Sequence, residues 1–188
     1  MGTKSERTKE RILKEAWSLF AQKGFQAVTM TDICEKTGLS RGGVYRYFTG
    51  TDQIFGEILS QEYPLDDRID RQESAAVILE DMLCAIKKEI LEKELSLSLA
   101  IYEYASLGNE ALFRQINENA KKRWISLITY GMETGVFKKV CLEQAAECLL
   151  YYYQGLRMWS RVIPFEECTA EYYVKTIREM LLHENKTR

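Results

Sequence analysis

The chain has 188 residues, 46% of them hydrophobic and 29% charged, with a formal net charge of −2. That is an ordinary globular composition, with enough chain for one or two compact cores. No apolar run approaches the roughly 18 residues of a membrane span, MGTKSERTKERILKEA lacks the apolar core of an export signal, and Cys34, Cys84, Cys141, Cys148 and Cys168 form neither a disulfide framework nor a Cys-x-x-Cys pair. The expectation is a cytoplasmic protein with reduced thiols, no membrane association and no cofactor. With His183 the single histidine, no metal site is expected either.

Only two prolines, Pro64 and Pro164, interrupt the sequence, which favours an all-α chain of long helices. Ile12, Leu13, Ala16, Leu19 and Phe20 recur at helical spacing and predict a first helix over 5–23, stopped by Gly24. Thr29-Met-Thr-Asp32 has the form of a capping box, with Asp in place of the usual Glu or Gln. It opens a second helix that ends near Thr37, where Gly38 is free to take a positive φ. Ser40 caps a third, running to Tyr47 or Phe48. Ile33, Leu39, Val44 and Phe48 form the small core that fixes these two helices at a steep angle, a helix-turn-helix. A fourth helix is predicted over 52–62, with Ile54, Phe55, Ile58 and Leu59 on one face. Pro64 and the polar run Asp66 to Glu73 separate a head from a body. The head, a helix-turn-helix over 1–50, is joined by the fourth-helix segment 51–63 to a larger body over 64–188. Body helices are expected near 74–92, 95–107, 110–134, 142–162 and 169–184, about nine helices in all, with 135–140 as an extended connector.

Residues 1–50 carry nine Lys and Arg against five acids, a basic head on an acidic body. Gly42 and Gly43 each weaken a helix by roughly 1 kcal/mol against Ala, a cost that suits a helix whose backbone must come close to a major groove. Arg41 lies in the N-terminal turn, where side chains reach base edges and an Arg bonds guanine bidentately. Arg46 reaches either a base or a phosphate. The hydroxyls of Tyr45 and Tyr47 suit phosphate oxygens, although Tyr47, beside Phe48, is equally a core ring. Thr29 and Thr31 start the second helix, whose amides favour an anion, and Thr29 is a cap in any case.

The run FAQKGF, the pattern VTMTDICEKTGLSRGGVYRYF and the following TDQIF resemble the DNA-binding domain of the tetracycline-repressor family over roughly residues 7–60. The resemblance implies a homodimeric repressor on a palindromic operator in double-stranded DNA, released when its body binds a small molecule. By motif position, DNA contacts fall on Thr29, Thr31, Ser40, Arg41, Gly42, Gly43, Tyr45, Arg46 and Tyr47. Many members place a phosphate-binding lysine at the start of the fourth helix, where this chain has Thr51.

In the body, tyrosine and tryptophan offer flat apolar faces with one polar tip, suited to a hydrophobic or aromatic effector or simply to core filling. Tyr102, Glu103, Tyr104, Trp124, Tyr152, Arg157, Met158 and Trp159 are the candidate pocket residues, Glu103 and Arg157 as polar anchors. The 142–162 helix is apolar almost all round and must be covered on more than one side. Together with the 169–184 stripe it predicts a four-helix dimer interface through Leu149, Tyr153, Leu156, Tyr173, Ile177, Met180 and Leu181. No Gly-rich phosphate loop or nucleophile–base arrangement points to an enzyme. The remaining alternative is a ligand- or protein-binding module whose head does not read DNA.

Overall fold

The computed structural model describes residues 3–61, 65–92 and 96–183. Ten helices occur among them: α1 (Lys4–Lys23), α2 (Met30–Thr37), α3 (Arg41–Tyr45), α4 (Thr51–Leu59), α5 (Leu65–Asp70), α6 (Ala75–Leu91), α7 (Ser98–Ala105), α8 (Glu110–Glu133), α9 (Leu142–Trp159) and α10 (Glu167–Leu181). There is no named strand among the described residues, only an isolated bridge between Phe137 and Leu182; the connector after α8, expected to be extended from residue 135, begins as a turn at Gly135, φ 71°. The chain divides into two compact units, one of residues 1–62 and 93–116, the other of 63–92 and 117–188.

The first unit is built on the predicted stripe. Ile12, Leu13, Ala16, Leu19 and Phe20 of α1 are all buried and pack with Ile33, Val44, Phe48, Ile54, Phe55 and Ile58. Leu39 and Leu59 only border that cluster. A second capping box, overlooked in the sequence reading, starts α1. The Thr3 hydroxyl accepts from the Glu6 amide at 3.2 Å and the Glu6 carboxylate accepts from the Thr3 amide at 2.6 Å.

The sequence boundary between head and body is not the boundary between the two units, because residues 96–116 cluster with the head. Tyr104 of α7 joins an aromatic group with Phe25 and Phe55, ring centroids 4.6 and 5.1 Å away. The Glu103 carboxylate accepts the Gln26 amide at 2.9 Å. Pro64, the proposed break, lies outside the described residues. The polar run after it, expected as a boundary, is partly helical. Leu65 is 1% exposed and anchors α5, and Arg68 holds the following turn to Glu73 and Asp81.

The second unit has its own core of Ile78, Leu79, Leu83, Leu127, Ile128, Leu149, Tyr173 and Ile177. Gly131 lets the Phe137 ring lie against α8, because a Cβ there would overlap the ring. Its carbonyl accepts from Val136 N at 2.9 Å and Phe137 N at 2.8 Å. Four residues proposed for the dimer interface belong to this core instead: Leu149, Tyr173, Ile177 and Leu181 are at most 1% exposed. The reason is that α10 packs on α6, and Tyr173, Ile177 and Leu181, spaced four apart, share the face that does so. Tyr153, Leu156 and Met180 are half-buried against the same core.

Candidate nucleic-acid interface

The helix-turn-helix is set by its caps. Thr29 caps α2 and closes a full capping box with Asp32: its hydroxyl accepts the Asp32 amide at 3.2 Å and donates to the Asp32 carboxylate, which also accepts the Thr29 amide at 2.9 Å. Lys23 adds an ammonium donor at 2.8 Å. The Lys23 bond, followed by the Thr29 donors, holds the Asp32 carboxyl well below the usual carboxylate range. The N-terminus of α2 thus already faces an internal carboxylate, and the Thr29 hydroxyl is a structural cap with its proton committed. Thr31, two residues on, is exposed. Gly38 ends α2 at φ 66°, the left-handed geometry that favours glycine, and its amide donates back to the last turn.

Ser40 caps α3, its hydroxyl accepting the Gly43 amide at 3.2 Å. The helix is shorter than predicted: it ends at Tyr45, and a tight Tyr47 N–H to Val44 C=O bond of 2.9 Å turns the chain so that Phe48 enters the core. Two glycines in so short a helix leave little propensity to carry it further. Val44 is fully buried, which leaves Arg41, Gly42, Tyr45 and Arg46 on the exposed side.

The two glycines differ. A Cβ at Gly42 would meet nothing within 4 Å, whereas at Gly43 it would stand 3.2 Å from the Ser40 hydroxyl oxygen and 3.6 Å from Leu39. Gly43 therefore has an internal reason, room for the cap, while Gly42 is bare toward solvent only. Arg46 lies over the Tyr47 ring, 5.9 Å from its centroid. Tyr47 is half-buried, and its hydroxyl accepts from Ser5 of α1 at 3.4 Å, the principal reason its phenol titrates lower than usual. Tyr47 is thus both a partial core ring and a tie between α1 and the turn. Thr51 is the first residue of α4 and half-buried. The Thr49 amide donates to the Gln53 side chain at 2.8 Å, and Asp52 stands in the first turn, so this helix start also carries an acid of its own.

The eight candidate pocket residues fall in both units. Tyr102, Glu103 and Tyr104 belong to the first unit, where Tyr102 is exposed, the Glu103 carboxylate is engaged by Gln26 and Tyr104 is buried among aromatic rings. Trp124 is a core residue of the second unit. Tyr152, Met158 and Trp159 are exposed, at 41%, 45% and 55%, and share one side of α9 with Tyr151. Arg157 points the other way. Its Nε lies 2.8 Å from Glu89, and its guanidinium lies over the Tyr153 ring at 5.6 Å, while the Tyr153 hydroxyl donates to Glu89. Beside this group the fully buried Tyr173 hydroxyl has no hydrogen-bond partner. Burial pushes its phenol up, as it does that of Tyr153. Glu89 was missed in the sequence reading because nothing in its local pattern separates it from any other helix glutamate. No helix among the described residues is long and apolar enough to cross a membrane.

Residues 12–58 match a family model described as bacterial regulatory proteins of the tetR family. The uncharacterized HTH-type transcriptional regulator YfiR of Bacillus subtilis is 40% identical over 76 residues, 39% of this chain and 36% of its own. The HTH-type transcriptional repressor KstR2 of Mycobacterium tuberculosis is 24% identical over 137 residues, 68% of each chain. The match thus spans about a third of the length of YfiR. A protein from Saccharomonospora viridis solved in complex with choline matches 95% of this chain and 100% of its own, at a TM-score of 0.67 and 19% identity, a likeness of fold alone. The capped α2–turn–α3 pair, its bare exposed edge and these matches agree: residues 12–58 are similar in sequence to the family model of the tetR bacterial regulatory proteins.

Proposed function

We propose that the chain is a transcriptional repressor that binds a palindromic operator as a homodimer and is released by a small hydrophobic or aromatic effector. The observation that carries the DNA reading is Gly42. It stands at the exposed edge of a capped helix, with open space where a side chain would be, and it is flanked by exposed Arg41, Tyr45 and Arg46. Arg41 reads a base edge, Arg46 a base or phosphate, and Tyr45, Thr31 and Thr51 contact the backbone. Ser40 and Gly43 set the helix, and Tyr47 braces it.

The dimer face is revised to the exposed side of α9: Tyr151, Tyr152, Met158 and Trp159, continued by Val162, Ile163 and Tyr172. Large apolar side chains left exposed are what a second copy would cover. The effector's polar end is assigned to the inner side of α9, where Tyr153, Arg157 and Glu89 meet and the Tyr173 hydroxyl lacks a partner. Effector binding to a state with different head spacing lowers operator affinity by its differential affinity for that state.

Selection of bound duplexes from a random pool tests the reading. A recovered palindrome with half-sites about one helical turn, roughly 34 Å, apart supports it. Arg41→Ala is expected to lose about 1–3 kcal/mol of discrimination at one base pair. A uniform loss on all sequences would make Arg41 a phosphate contact, and no retention of any duplex at low salt would leave the head without a DNA role.

A further inference from the structure

Two of the free cysteines share a cleft. Cys141, the residue before α9, and Cys148, two turns along it, line a recess of about 340 Å³ with Val140, Gln144, Ala145 and Met180. The volume suits a single ring-sized group. The walls are apolar apart from Gln144, and Met180 offers a soft, adaptable side. Both thiols are exposed and reduced. Seven residues of helix separate their Cα atoms by about 10 Å, beyond the roughly 7 Å that a disulfide spans, so they cannot quench each other as an intramolecular bridge.

We propose that this cleft is a covalent capture site for neutral, apolar, soft electrophiles of the α,β-unsaturated carbonyl class. The ring or chain of the compound seats on Val140, Ala145 and Met180 and presents its β-carbon to a cysteine. The thiol proton leaves to water and the sulfur forms a bond to the β-carbon. The alkene π pair moves through the enolate, and water protonates the α-carbon. No oxidant or leaving group is needed. The proposal concerns the second unit alone and does not rest on the DNA reading.

Cys84 and Cys168 are also exposed and line no part of this cleft, so they are internal controls, and buried Cys34 marks the slow limit. The full chain is treated with N-phenylmaleimide or N-(2-hydroxyethyl)maleimide, which share one reacting group and differ in apolar bulk, and each cysteine is quantified by peptide mass spectrometry. The labelling rate of Cys141 and Cys148 relative to Cys84 and Cys168 is expected to rise about fivefold from the hydroxyethyl to the phenyl reagent, as for an aromatic ring half removed from water. That selectivity should vanish in concentrated urea. Met180→Ala, which strips one wall, should reduce it while leaving the hydroxyethyl rates unchanged. The same ratio for both reagents, a selectivity that survives unfolding, or cleft cysteines left unlabelled because a second copy covers them would overturn the proposal.

Discussion

Replacing Gly42 with alanine separates the two demands on α3, because the change should act in opposite directions on folding and on DNA binding. Gly42 sits inside the helix without a positive φ, and an added Cβ meets nothing within 4 Å. Alanine is favoured over glycine in a helix by about 0.8–1 kcal/mol, partly through the unfolded chain. In a helix this short, about 0.5–1 kcal/mol of that should survive. For a protein of this size that is a rise in melting temperature of roughly 1–4 °C. The same methyl stands on the edge that approaches the groove, so operator affinity should fall at least tenfold, about 1.4 kcal/mol. Gly43→Ala is the matched control: its Cβ would crowd the Ser40 oxygen at 3.2 Å, and the helix gain is offset by strain in the cap, leaving stability nearly unchanged. Denaturant titration and fluorescence anisotropy on the selected duplex, at one fixed salt concentration, measure both quantities. A Gly42→Ala protein that is more stable and binds DNA as tightly as the parent would refute the close-approach argument.

Thr29→Ala removes the α2 cap and should cost about 1 kcal/mol, read by urea denaturation. Because the Asp32 carboxyl titrates below its ordinary value, its contribution to stability is complete above the unfolded carboxyl pKa of about 4 and disappears as pH falls below it. Asp32→Asn should flatten that part of the pH–stability profile, and an unchanged acid limb would contradict the assignment. Tyr173→Phe removes a buried hydroxyl without a partner and should leave the effector-free protein as stable or more so. A loss of more than about 1 kcal/mol would mean that the hydroxyl is satisfied in solution, for instance by a buried water. Gly131→Ala drives a methyl into the Phe137 ring and should cost about 1–3 kcal/mol or more by thermal unfolding.

The parts of this fold that were legible in the sequence are those governed by near neighbours along the chain. The stripe from Ile12 to Phe20, the Thr29–Asp32 box, the Gly38 stop and the Ser40 cap each act within about four residues, and each appears in the structure as expected. The misplaced features depend on distant partners. Leu65 begins a short helix because its side chain finds a core, which the surrounding acids conceal. Glu103 looked like a polar anchor on an aromatic helix, but its carboxylate meets the Gln26 amide, 77 positions away. Gly24, at φ 83°, makes that possible, since a Cβ there would stand 2.7 Å from the Glu103 oxygen.

The same limit explains the interface residues. Periodicity shows that Tyr173, Ile177 and Leu181 share a face, but a self-contained core and a twin helix present the same pattern to a stripe of this kind. Burial on α6 answers the question for α10 and moves the apolar surface without a cover to α9. That helix then has two distinct sides. Its inner side carries Tyr153 and Arg157, whose polar atoms are tied to Glu89. Its outer side carries Tyr151, Tyr152, Met158 and Trp159 with no cover of their own. Tyr152 and Tyr173 join the two, their rings meeting edge to face at 4.8 Å. Tyr152 therefore packs on the ring of the buried Tyr173 as well as lying on the outer side. On the proposed dimer and effector sites, a second copy seated on that side would bear on Tyr152, and an effector reaching Tyr173 would bear on it from within. Coupling between effector binding and dimer geometry, if both sites are as proposed, would need no long path through the protein: a shift of one tyrosine ring would change both contacts at once.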